Sequence, residues 1–259
     1  MERPNHSHLI VFLFCLLVFM NRPGMARDGD TGYTSFQNLI YKAYIESRMS
    51  LWENTLAAME TEYRQHPGEL LLYDILLAKY GLTGYYLGVN DNSAAREVLS
   101  SAQNYLDILE SAGGWEAEAA TFRAAFNGFR IGLRPWLGVR LGPQSQSLVN
   151  AAISQKPDYP HAWIEKGNIM YYAPAIFGGS KTKAIEYYQQ ALALMGQHLQ
   201  NNHRWLYLST LVSLATAYEE TGQTDLAIQM LEKALEAEPG FVWVKDELLP
   251  ELKAKQSYN

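Results

Sequence analysis

The stretch Leu208–Phe241, LSTLVSLATAYEETGQTDLAIQMLEKALEAEPGF, constrains the fold more than any other part of the chain. With Leu208 counted as one, Leu211, Leu214, Ala215 and Tyr218 stand at four, seven, eight and eleven. That spacing puts them on one face of a helix. Gly222, at fifteen, allows the left-handed backbone of a tight turn. Ala227, Leu231 and Ala234 then restore the helical period at twenty, twenty-four and twenty-seven, and Pro239 closes it at thirty-two. Ala215, Ala227 and Ala234 are small where two helices must approach closely. One such pair cannot bury its own apolar face, so the pattern predicts stacked neighbours.

These positions resemble the tetratricopeptide repeat, a helix–turn–helix unit of about 34 residues. The resemblance implies an all-α fold, a right-handed α-solenoid of five helix pairs with a C-terminal capping helix over residues 36–255. The rest of the chain is consistent with it. A degenerate first pair spans Phe36–Ser47 and Leu51–Gln65 and ends at Pro67-Gly68. Glu69–Leu87 is apolar over a wide arc, which predicts a helix sandwiched between neighbours, with Gly81 and Gly84 competing for its close-contact position. Asn90–Ser93 supplies a turn and an N-cap for the helix over Ala94–Ser111.

The third and fourth pairs mirror each other, with first helices at Trp115–Leu133 and Pro160–Tyr172. Gly128 and Gly167 fall at position eight, where the two helices of a pair should touch. Ala152 matches Ala191 and Pro135 matches Pro174, both 39 residues apart, so each pair has an extended intra-pair turn, Trp136–Pro143 and Ala175–Ser180. The next helix covers Lys183–Leu194, and Val242–Lys255 reads as the cap, shortened or kinked by Pro250.

Residues 1–26 read as a secretory signal peptide. Leu9–Met20 is a continuous apolar run, too short to span a bilayer as a helix, and Gly24-Met25-Ala26 supplies small residues for cleavage after Ala26. An uncleaved anchor is the alternative, and with it the only membrane association foreseen. Residues 27–35 form a polar linker. Export places the protein in the periplasm or outside the cell. Cleavage would remove Cys15, the single cysteine, leaving no thiol or disulfide chemistry. The net charge of −6 argues against a nucleic-acid partner.

No motif carries a catalytic constellation. Gly178-Gly179-Ser180-Lys181-Thr182 lacks the glycine that a phosphate-binding loop needs before its lysine, and Ser180 reads instead as an N-cap. Asp30-Thr31-Gly32 is one carboxylate where an aspartic protease needs two. His66, His161, His198 and His203 show no metal-binding spacing. No cofactor or metal is expected, and the chain reads as a non-enzymatic binding protein.

Two surfaces are candidates for binding. Arg123, Arg130 and Arg134 share one helix face, and Arg140 follows in the next turn, a candidate carboxylate-binding patch. A face salt-bridged to Glu116, Glu118 or a neighbouring repeat is the other reading. The resemblance further places His161, Ile164, Asn168, Tyr171 and Tyr172 on the concave side, with Trp163 and Tyr188 in the core. Asn168 matches one residue of the clamp by which some of these repeats hold peptide C-termini, but Ile164 replaces the clamp's lysine. The expectation is a protein or peptide partner in a concave groove. The alternative is an accessory of a solute transport system that holds a small ligand.

Overall fold

The computed structural model describes residues 36–196 and 203–257; residues 1–35, read above as a signal peptide and linker, and His198 lie outside them. The architecture is an all-α solenoid of antiparallel helix pairs. The pairs are α1 (Phe36–Ile45) with α2 (Met49–Gln65), α3 (Glu69–Gly88) with α4 (Asn92–Ser111) and α5 (Glu116–Leu133) with α6 (Gly138–Gln155). Then come α7 (Pro160–Tyr172) with α8 (Lys181–Gly196), α9 (Arg204–Glu220) with α10 (Thr224–Ala237), and α11 (Leu249–Ser257) as a cap. Among the described residues, no helix is long and apolar enough to cross a membrane.

Local chemistry sets the helix ends. Asp91 caps α4, its carboxylate accepting from the Ala94 amide at 3.0 Å. Ser180 stands before α8, its hydroxyl accepting from the Lys183 amide at 3.3 Å. Gly222 takes φ 76° between α9 and α10, as its place in the turn demands. A π-turn at Val244–Leu248 leads into α11, loosening the backbone ladder next to Pro250, which has no N–H to donate. The turn expected over Trp136–Pro143 is shorter than its sequence suggests. Only Pro135–Leu137 forms a 3₁₀ turn, and α6 begins at Gly138 with Pro143 inside it.

The second helices keep the 39-residue period, since Ser145, Val149 and Ala152 are buried like Ala184, Tyr188 and Ala191. The first helices do not. The buried residues of α7 map onto those of α5 at a spacing of 43, with Gly167 against Ala124. Gly167 is a close contact, because a Cβ there would lie 2.5 Å from the Tyr188 ring. Gly128 is exposed and a Cβ would meet nothing within 4 Å, which corrects the expected contact. The reason is that α5 is 18 residues long against 13 for α7, so it overruns its partner by a turn.

The first helices line the inner side, and there the solenoid closes on itself. α1 packs against α9, α3 against α5 and α5 against α7. The Trp205 ring of α9 lies 5.0 Å from Trp52 of α2, 5.8 Å from Tyr44 of α1 and 6.5 Å from Tyr80 of α3. Tyr44 also meets Phe241 at 5.1 Å. Gly81 makes room for this cluster, since a Cβ would fall 2.5 Å from the Trp52 indole. Polar groups bridge the same closure. Tyr41 donates to the Glu238 carboxylate at 2.6 Å, and His203 meets Asp74 at 2.8 Å. Burial of aromatic rings from helices at both ends of the chain favours this closure.

Candidate functional site

α7 is buried on two sides, one facing α8 and one facing the interior. His161, Ile164 and Asn168 all point into that interior and are buried. They therefore do not line an open groove. The inward positions are inside the protein's own core, because α3 covers them: Tyr80 packs 4.8 Å from His161, and its hydroxyl is 3.3 Å from the Asn168 amide nitrogen. Trp163, expected in the core, is only half buried. Its indole N–H donates to the Pro157 carbonyl at 2.8 Å and its ring leans on Tyr187. Tyr188 is buried as expected. Tyr171 is half buried and Tyr172 exposed, their rings edge-on to each other at 4.7 Å near the C-terminus of α7.

The interior of α7 carries a polar network that periodicity did not reveal. Asn168 donates to Glu165 at 2.8 Å and accepts from the Tyr188 hydroxyl at 2.8 Å. His161 Nε2 lies 3.7 Å from the Glu165 carboxylate, too far for a hydrogen bond, and has no partner among the described residues. Burial pushes the Glu165 carboxyl up to about 7. Burial, helped by the charge of His203, holds the His161 imidazole down at about 3. Both groups are therefore largely neutral in mildly acidic solution. A carboxyl and an imidazole side by side could exchange protons, yet no substrate can reach them in this closed interior. A small cavity nearby, lined by Gln37, Asp74, His203 and Trp205, measures about 10 Å³. That is room for one water.

The arginine set divides in two. Arg123 forks onto the Glu110 carboxylate and reaches Asp107 at 3.1 Å, so α4 neutralises it rather than Glu116 or Glu118. Arg130 donates to Gln103 at 2.7 Å and to Asn127 at 3.2 Å. Arg134 and Arg140 are exposed and have no ion-pair partner among the described residues. They flank Trp136 and Val139, which are 72% and 73% exposed. The equivalent turn between α7 and α8 presents Ile176 and Phe177, 85% and 62% exposed. Leu70, at the start of α3, is 74% exposed as well but stands alone, whereas each of these two segments brings two bare apolar side chains together. Their signal in the sequence was the pair of prolines, Pro135 and Pro174, that open the two turns.

These two turns lie on one edge of the molecule. α5 and α7 pack side by side with α6 returning between them, so the two first helices run parallel and end on the same side. The α7–α8 turn is tightly built. Gly178 takes φ 87°, and a Cβ on Gly179 would collide with the Ala173 carbonyl at 1.7 Å. Among the described residues no cluster of His, Cys, Asp or Glu side chains could hold a metal ion.

Residues 181–237, spanning α8 to α10, match the family model for the tetratricopeptide repeat. Among solved structures, the HusA haemophore from Porphyromonas gingivalis is similar, with a TM-score of 0.57 at 18% identity, over 73% of this chain and 96% of that one. A thermophilic tetratricopeptide-repeat protein of Thermus thermophilus has a TM-score of 0.49 at 19% identity, over 86% of this chain and 98% of its own. At these identities the likeness is one of fold. No curated protein matches the chain.

Proposed function

We propose that this tetratricopeptide-type solenoid is a non-enzymatic protein-binding scaffold that works outside the cytoplasm, and that its partner seats on the outer surface rather than in a concave groove. The observation that supports this is the filled interior. Tyr80, His161, Asn168 and Trp205 occupy the space in which an open superhelix would hold a peptide. What remains is a rigid stack of preformed helix faces, which can bind without ordering itself first. Export rests on the apolar run Leu9–Met20 and the small residues ending at Ala26. The test is capture of partners by the protein recovered from the exported fraction, followed by cross-linking and N-terminal sequencing. Cross-links on outward-facing residues and an N-terminus at Arg27 are expected. Cross-links on the interior of α7, or a chain retained in the cytoplasm with Met1, would sink the reading.

A second reading keeps the exposed edge for a small ligand. Trp136 and Phe177 offer flat rings and Arg134 and Arg140 offer cations. Together they suit a flat apolar anion of the kind a haemophore carries. A visible-absorbance titration with haem, repeated on W136S/F177S, tests it. Saturable spectral change lost in the variant supports the reading, and an unchanged spectrum removes it.

A further inference from the structure

Charge is segregated along this chain in a way the overall balance hides. The chain carries a net −6, yet residues 119–157 contain Arg123, Arg130, Arg134, Arg140 and Lys156 and no acidic residue. Residues 166–185 likewise contain Lys166, Lys181 and Lys183 and no acid. Both stretches run through the turns that open at Pro135 and Pro174. Arg123 and Lys156 are ion-paired to Glu110 and Glu118, but Arg134 and Arg140 remain beside the bare Trp136 and Val139, as Lys181 and Lys183 do beside Ile176 and Phe177. Lys183, in the first turn of α8, is exposed and has no ion-pair partner among the described residues, like Arg134 and Arg140. Acids stand at the neighbouring intra-pair turns, at Asp91 on one side and at Glu219 and Glu220 on the other, where Glu220 holds Lys181. The cationic, apolar zone is thus confined to the two middle pairs.

From this edge we infer that the protein docks on an anionic lipid bilayer, with Trp136, Val139, Ile176 and Phe177 entering the interface and Arg134, Arg140 and Lys183 meeting the headgroups. Three arguments select this occupant. A second copy of the chain would bring like charges together on the same edge, which is unfavourable. These side chains stand on two separate segments at 62–85% exposure, a spread that a plane can meet without a recess shaped to one ligand. A fluid interface asks for no shape, only for apolar groups that can enter it and cations beside them. Trp is at home at that depth, and each nearby Lys or Arg adds attraction to anionic headgroups. α5 and α7 run parallel, so both turns face the same side of the molecule.

The test uses the full chain and vesicles of neutral phosphatidylcholine, with or without about a third phosphatidylglycerol, at low and high salt. The apolar run Leu9–Met20 would bind either vesicle alike, so the readout is the difference between them. The inference expects tighter binding to the anionic vesicles, weakened by salt as Debye screening requires. R134Q/R140Q should lose about tenfold or more of that preference. Trp136 emission, isolated by comparison with W136F, should shift to the blue and be quenched by brominated lipid. W136S/F177S should bind more weakly while unfolding at the parent temperature, because both side chains are exposed. Equal binding to both vesicles, or Trp136 emission that does not respond, overturns the inference. If vesicles fail while a captured protein or haem protects Trp136, the edge belongs to that ligand instead. If both vesicle binding and protein capture succeed, with cross-links elsewhere, scaffold and membrane contacts are separate.

Discussion

At the scale of single residues, burial rather than residue type decides what each group does. Glu165 and His161 make this testable, because their shifts have opposite consequences. Glu165 keeps a proton in the folded state up to about 7, whereas an exposed carboxyl has lost it near 4.5. Between those values the folded state binds more protons, so stability falls as pH rises, by about 3 kcal/mol in all. His161 resists protonation down to about 3 against an ordinary 6.5, so stability falls as pH drops through that range. The two trends oppose each other, which predicts maximal stability in mildly acidic solution. E165Q mimics the neutral carboxyl and can still accept from Asn168. Urea unfolding across pH should show the acid limb of E165Q extended, with stability still rising up to about 6.5 and no decline above it; a profile parallel to the parent's would refute the assignment. Tryptophans test burial in the same way. Trp52, 1% exposed, should cost ~3–5 kcal/mol when cut to Ala. Half-exposed Trp163 should cost about 1–2 kcal/mol. Equal losses in thermal denaturation would put Trp163 back in the core.

At the scale of elements, the lesson is one of register. A spacing of 39 residues was legible from Pro135 and Pro174 and from Ala152 and Ala191, and it holds for α6 against α8. It fails for α5 against α7, because helix length is not written in the positions of glycines. Gly167 and Gly128 therefore part company. Gly167→Leu should destabilise by roughly 1–3 kcal/mol, since its side chain would enter the Tyr188 ring. Gly128→Ala should leave stability equal or raise it by about 0.5–1 kcal/mol, since the site is open and helical. Denaturant midpoints for the pair decide between the two registers: destabilisation by Gly128→Ala would restore the 39-residue alignment.

At the scale of the whole molecule, closure couples the ends of the chain. In an open solenoid each pair contacts only its neighbours and can fray by itself. Here Trp205 touches α1, α2 and α3, and Tyr41 holds Glu238 beyond α10. Trp205→Ala should cost ~3–5 kcal/mol. It should also raise hydrogen exchange in α1 and α9 together, because opening one exposes the other. Exchange raised in α9 alone would mean the first pair folds independently and the solenoid is open after all.

The helices, their pairing and the all-α class were legible in the sequence because they depend on spacing along one chain. Apolar residues at helical intervals, a glycine in the turn and small residues at the contacts act locally, so Leu208–Phe241 reads almost unaided. The direction of α7 was legible too: His161, Ile164 and Asn168 do face inward. What they face was not. Whether the inner side is an empty groove or a core depends on Trp205 and Tyr80 arriving from distant helices, and no local pattern records that meeting. The same reason explains the arginines. Four on one stretch look alike in sequence, but α4 supplies acids to Arg123 and an amide to Arg130, and leaves Arg134 and Arg140 to solvent. Periodicity determines which residues share a face; only the packed fold decides which faces remain uncovered.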